Sequence, residues 1–203
     1  MTKWLTRSVC AACFVIAFSG SVAHAAGEYA RSGLYASLLG IVAIPTWQDQ
    51  LQGQQAAAQP GAIPPEISVS GGLDFRGGYR FHERVAAEMK FDWVSSYAIS
   101  QAGVETSEAS NWMYAVSAKL FLMTETVQPY VLLGMGAYHL DYVLPGTLTA
   151  VDGTSFSPVF AGGLDYYLDW RWGLSVEVSY VIGTRQLNEL DRVGISFGAF
   201  YRF

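Results

Sequence analysis

Apolar and polar residues alternate one for one along much of this 203-residue chain. Period two places alternate side chains on opposite faces of a β-strand. Eight stretches are predicted as strands: 33–44, 67–79, 85–96, 111–122, 127–142, 158–169, 173–183 and 191–203. In the third, Val85, Ala87, Met89, Phe91 and Trp93 alternate with Ala86, Glu88, Lys90 and Asp92. The second sets Val69, Leu73, Phe75 and Tyr79 against Ser68, Ser70, Asp74 and Arg76, and the seventh sets Leu174, Val176, Val178, Tyr180 and Ile182 against Ser175, Glu177 and Ser179. The sixth places Phe160, Leu164, Tyr166 and Leu168 opposite Asp165 and Asp169. The fourth places Trp112, Tyr114, Val116 and Leu120 opposite Lys119. The fifth places Tyr130, Leu132, Tyr138, Leu140 and Tyr142 opposite His139 and Asp141. In the first strand Ser37 and Leu38 leave neither face clean. In the last, Val193, Ile195, Phe197, Ala199, Tyr201 and Phe203 alternate with Gly194, Ser196, Gly198, Phe200 and Arg202.

The connections alternate too. Segments 45–66, 97–110, 143–157 and 184–190 are long or polar, whereas 80–84, 123–126 and 170–172 are tight. Pro45, Pro60, Pro64, Pro65 and Pro145 fall in predicted loops, and Pro129 and Pro158 near strand starts, where a missing N–H is tolerated. Residues 48–59, rich in Gln and Ala, suit a short helix or a disordered loop equally. An interior of about eight strands is only wide enough for side chains. The apolar set, crowded with Trp, Tyr, Phe and Leu, would overfill it. Turned outward, that set meets lipid and the small or charged residues fill the lumen. Closure then pairs every backbone N–H and C=O, as lipid requires. The expected fold is an all-β, eight-stranded antiparallel up-and-down transmembrane β-barrel, with long loops extracellular and both termini on the periplasmic side. Trp93, Tyr97, Trp112 and Tyr142 would form one aromatic girdle, and Tyr79, Phe81, Trp170, Trp172, Tyr201 and Phe203 the other.

The N-terminus carries a secretory leader. Lys3 and Arg7 precede an apolar run, 9–18, and Ala23-His24-Ala25 offers small residues for cleavage after Ala25. The expected division is a signal peptide, 1–25, and a barrel domain, 26–203. The run is too short to span a bilayer as a helix, which takes about 20 residues. Cleavage removes Cys10 and Cys13, and with them any disulfide or thiolate metal site. Ten bases then face 17 acids, a net charge of −7 that lacks the basic footprint of a nucleic-acid binder.

Residues 193–203 resemble the terminal strand of bacterial outer-membrane barrels, which ends on Phe. Residues 162–168 with 173–180, and residues 128–138, resemble hairpins of the opacity-protein and outer-membrane-protein-A-type barrel domains, a likeness that covers nearly all of the mature chain. The resemblance implies Sec-dependent export and residence in the cell outer membrane of a Gram-negative bacterium. It also implies that Val193, Ile195, Phe197, Ala199, Tyr201 and Phe203 are read by the barrel-assembly machinery. Relatives of this kind are adhesins, envelope-stabilising barrels, narrow channels and a few lipid-modifying enzymes. With the chain closing at Phe203, the peptidoglycan-binding role of larger relatives is not expected. The expected partners are outer-membrane lipid and lipopolysaccharide, plus an extracellular ligand bound through the loops. The barrel is expected to be monomeric.

Candidate chemistry lies in the lumen: Asp74, Arg76, Glu88, Lys90, Asp92, Lys119, His139, Asp141, Asp165, Glu177, Arg192 and Arg202. Charges in a narrow low-dielectric interior must pair. The set is expected to form a plug, with a gated polar path as the alternative. His139 and Asp141 at i, i+2 are half of a possible catalytic or metal site. The lipid A deacylases, however, carry a Ser two residues after the His. Here Asp141 follows His139 and Arg84 follows His82. No second His stands at metal-ligand spacing, so neither enzyme activity nor any cofactor or metal is expected. The acids Asp49, Glu105, Glu108 and Asp152 lack calcium-loop spacing.

Overall fold

The computed structural model describes residues 29–46, 52, 53, 56, 63, 66–101, 104–143, 150–184 and 191–203. Eight long strands form the barrel: β1 (Gly33–Pro45), β2 (Ser70–His82), β3 (Val85–Gln101), β4 (Val104–Phe121), β5 (Val127–Val143), β6 (Ala150–Tyr167), β7 (Trp172–Val181) and β8 (Arg192–Arg202). Each pairs antiparallel with the next. β1 also pairs with β8, from Tyr35↔Arg202 to Pro45↔Arg192, which closes the sheet. A two-residue piece, Glu66–Ile67, lies against the far end of β3. Leader residues 1–25 lie outside the described residues; within 48–59, Gln52, Gly53 and Ala56 are helical.

The wall is uneven in height. β4 and β6 have 18 residues and β3 and β5 have 17, while β7 has 10. At ~3.3 Å per residue and a tilt near 40°, about 18 residues rise ~45 Å, against an apolar belt of ~25 Å. β7 spans little more than the belt, whereas β3–β6 stand well beyond it. Two expected loops are therefore mostly strand. In 97–110, pairing runs out to Gln101↔Val104. In 143–157, strand resumes at Ala150, opposite Val143. Polar residues such as Ser107 and Thr154 had suggested loop, but above the membrane a strand has no need of an apolar face. Residues 67–69 in turn precede the barrel part of the second strand, which starts at Ser70.

Pro158 lies inside β6 rather than near its start. Its carbonyl accepts from Ile182 N at 3.0 Å, just beyond the last residue of β7. In an antiparallel ladder the N–H of a residue points the same way as its C=O. The missing donor thus faces the margin where β7 runs out.

The belt is apolar on the outside, as the alternation predicts. Leu38, Phe75, Met89, Tyr114, Val176 and Phe197 are exposed while Asp74, Lys90 and Glu177 are buried. The two aromatic girdles differ. Tyr79, Phe81, Trp170, Trp172 and Phe203 ring the short-turn end as exposed side chains. At the other end Trp93 is exposed and Trp112 half-buried, but Tyr97 is fully buried. Its inward turn has a local cause. A register shift between Val94 and Tyr97 inserts one extra residue into β3, so the even positions that face inward up to Val94 give way to odd ones, Tyr97 and Ile99. Ser70 holds this bulge, its hydroxyl lying 2.8 Å from Ser95 O and 2.9 Å from Ser95 Oγ. The side chain of Tyr142 lies outside the described residues.

Candidate functional site

The lumen has two storeys. Toward the short turns it is charged; toward the extended end it is apolar.

Alternation along neighbouring strands builds the charged storey. Asp74 and Arg76 share the inner face of β2; Glu88, Lys90 and Asp92 share that of β3 with signs alternating. Lys119 of β4, Asp165 of β6, Glu177 of β7 and Arg192 of β8 complete the ring. Arg76 is its centre. Its Nε donates to Asp74 at 2.9 Å, and its two terminal nitrogens meet Glu177 at 2.6 and 3.0 Å. A guanidinium fork on a carboxylate is the strongest ordinary ion-pair geometry. Lys90 Nζ lies 3.4 Å from Asp74, 3.4 Å from Asp92 and 3.3 Å from Glu177. Lys119 donates to Asp165 at 2.9 Å and lies 3.7 Å above the Tyr130 ring. Arg192 bridges Asp92 at 2.5 Å and Asn111 at 2.8 Å. Remaining lone pairs take hydroxyls: Tyr130 on Glu177 at 2.9 Å, Tyr35 on Glu88 at 2.8 Å, Ser175 on Asp165 at 2.7 Å and Ser196 on Asp74 at 3.0 Å.

The short-turn mouth is closed by the chain's own backbone. Tyr29 O accepts from Arg202 at 2.9 Å, Arg80 at 3.3 Å and Gln128 at 3.4 Å, and Arg31 O also accepts from Arg202.

The apolar storey comprises Ile41, Ala43, Val94, Tyr97, Ile99, Met113, Tyr138, Leu140, Val159 and Val181, each with at most 2% of its surface exposed. Arg192 borders both storeys, 5.6 Å from the Tyr138 ring centre.

Ten of the twelve residues expected in the lumen are there. His139 and Asp141 are not. β4 and β5 pair with Lys119 opposite Leu132, so Leu132 shares the inner face with Lys119. Counting by twos from Leu132 puts Tyr130, Tyr138 and Leu140 inside as well, where they are buried. His139 and Asp141 therefore point outward. His139 stacks on Trp112, ring centres 4.9 Å apart, with Nδ1 2.9 Å from Thr154 Oγ1; Asp141 is exposed. The strand is apolar on both faces, so a strict two-residue period could not decide which face was inner. Glycines on the inner face make room: a Cβ on Gly134 would lie 2.1 Å from Ser117 Oγ. Arg80, on the parity of Asp74 and Arg76, is a further buried charge beyond the twelve expected. The buried Tyr130 is concealed because the alternation sets it in the apolar row of its strand, and the half-buried Tyr35 because its strand has neither face clean.

The turn between β6 and β7 is built on Asp169, whose Oδ1 accepts from Trp172 N at 2.7 Å and Arg171 N at 2.6 Å. These backbone donors hold its carboxyl below the usual aspartate range.

Residues 10–203 match the family described as the outer membrane protein beta-barrel domain. The chain belongs to that family. Outer membrane protein A of Escherichia coli O157:H7 is 30% identical over 134 residues, 60% of this chain and 37% of that protein. The chain thus spans less than two-fifths of that relative. Among solved structures, the outer membrane protein AlkL in DMPC bilayers superimposes with a TM-score of 0.60 at 22% identity, covering 91% of this chain and 95% of the other. Neisserial surface protein A gives 0.59 at 15% identity, with 85% and 98% covered. At such identities the likeness is one of fold. Family and fold together place this outer-membrane barrel in the Gram-negative envelope, with its belt in lipid.

Proposed function

We propose that this barrel serves as an envelope-stabilising wall and a platform for surface contact rather than as an axial pore. The observation that carries this reading is the filled lumen. Asp74, Arg76, Glu88, Lys90, Asp92, Lys119, Asp165, Glu177 and Arg192 are at most 5% exposed and paired, and a buried, largely apolar layer lies above them. Ion passage would require breaking several buried pairs at once, each costly to separate. Contact with other molecules then falls to the outer surface and to the extended end. Among the described residues the acids Glu66, Asp141 and Asp191 lie at that end with no exposed base beside them. A cationic contact partner suits this balance. Export is by the leader 1–25, cut after Ala25, and the short turns face the periplasm. The barrel works as a monomer and without a catalytic centre.

Planar-bilayer recording is the direct test. The purified barrel should give no stepwise openings, and reproducible unitary steps would overturn the wall reading. A deletion strain should gain detergent sensitivity or lose adhesion. Protease applied to intact cells should cut in the connections that follow β1, β3 and β5 and spare the short turns.

A second reading, a conduit for small apolar solutes, draws on the apolar lining at the extended end, where Ile41, Met113, Tyr138 and Leu140 meet. Faster uptake of an apolar tracer by expressing cells than by deletion cells would favour it.

A further inference from the structure

The lipid-facing wall is not evenly covered. In register across β1–β4, one outward row reads Ala36, Gly77, Met89 and Val116, and the next toward the short turns reads Leu34, Tyr79 and Ala87. With the small outward residues Gly77 and Ala87 in its floor, where Tyr35, Gly78 and Glu88 also border it, the wall falls away into a shallow groove of about 470 Å³ between Leu34, Tyr79, Met89 and Phe203. Its sides are among the most exposed apolar groups of the protein, Met89 at 68% and Phe203 at 72%. Nothing in the barrel itself demands glycine at position 77. A Cβ there meets no atom within 4 Å, whereas one on the inward neighbour Gly78 would lie 2.2 Å from the Tyr35 ring.

We propose that this groove seats one acyl chain of a phospholipid from the leaflet at the short-turn end. The occupant follows from position. The groove is continuous with a belt that lies in hydrocarbon, and it opens beside Phe203 and the Tyr79–Phe81 pair, ring centres 5.0 Å apart, in the aromatic girdle at headgroup level. Lipid tails are as apolar as the wall, so the preference comes from packing. A chain lying along the floor recovers dispersion contacts that a disordered tail over a recess forgoes.

The test is native mass spectrometry of the full barrel after reconstitution in vesicles of phosphatidylethanolamine and phosphatidylglycerol and graded detergent extraction. Gly77→Leu and, independently, Ala87→Leu fill the floor. Gly162→Leu is the control, since Gly162 also faces outward and a Cβ there meets only Tyr130 O at 3.8 Å. The native barrel and the control should keep one phospholipid after the rest are stripped, and either filling variant should keep roughly threefold less, the loss of fit being the only change. Equal retention in all four proteins, or equal loss in the control and a folded filling variant, would overturn the proposal. Heat-dependent gel mobility identifies which variants are folded.

Discussion

The two storeys of the lumen solve the same problem by opposite means. Both must fill a narrow interior. The charged storey does so by pairing: every carboxylate from Asp74 to Glu177 meets a cation, and hydroxyls take spare lone pairs. The apolar storey does so by packing Tyr97, Met113, Tyr138 and Leu140 against Ile41 and Val181. The difference teaches where each device is fragile. A paired network tolerates replacement of whole pairs far better than loss of one member. A packed layer loses stability with the volume removed, whatever the partner.

Glu177→Ala gives the largest expected effect, because it removes the one carboxylate shared by Arg76, Lys90 and Tyr130 and leaves two cations to Asp74 and Asp92. A loss of about 3–5 kcal/mol is expected in urea unfolding from lipid vesicles. Replacing Arg76 and Glu177 together by Leu and Met should restore most of it; no restoration would mean that the pairing account of this storey is wrong. Leu140→Ala comes next, at about 2–5 kcal/mol, and no second substitution in the charged storey should compensate. If one does, the storeys are not separate. Ser70→Ala removes the hydroxyl that holds the β3 bulge and should cost about 1–3 kcal/mol. It should also loosen Tyr97, seen as faster amide exchange at 97–99. Asp169→Ala has the smallest effect and lies outside both storeys. The folded carboxyl titrates below its unfolded value, so its contribution is full above the unfolded aspartate range and is lost as pH falls through the folded value. Stability of the Asp169→Ala barrel should therefore converge on that of the native protein in acid, and a constant gap at all pH values would reject the assigned role.

The charged storey was largely legible from sequence, since a charged residue amid alternating apolar ones has only one face to take. Arg80 had the same parity and was readable by the same rule. The apolar storey was not legible. Tyr97 depends on an extra residue in β3, and Tyr138 and Leu140 depend on a strand apolar on both sides. Parity there is set by pairing with the neighbour, as Lys119↔Leu132 does for β5. The same limit hid the strand extensions: above the membrane Ser and Glu are as welcome in a strand as in a loop.

The one-dimensional pattern by itself determined that this chain is a barrel, that its apolar face meets lipid and that the charges set among alternating apolar residues form an enclosed ring. These follow from a period of two and from the little room inside eight strands. Only the tertiary structure decided which strands stand tall, where the alternation slips, and which cation meets which carboxylate. Those depend on register across strands, and register is a relation between distant segments that no single stretch carries.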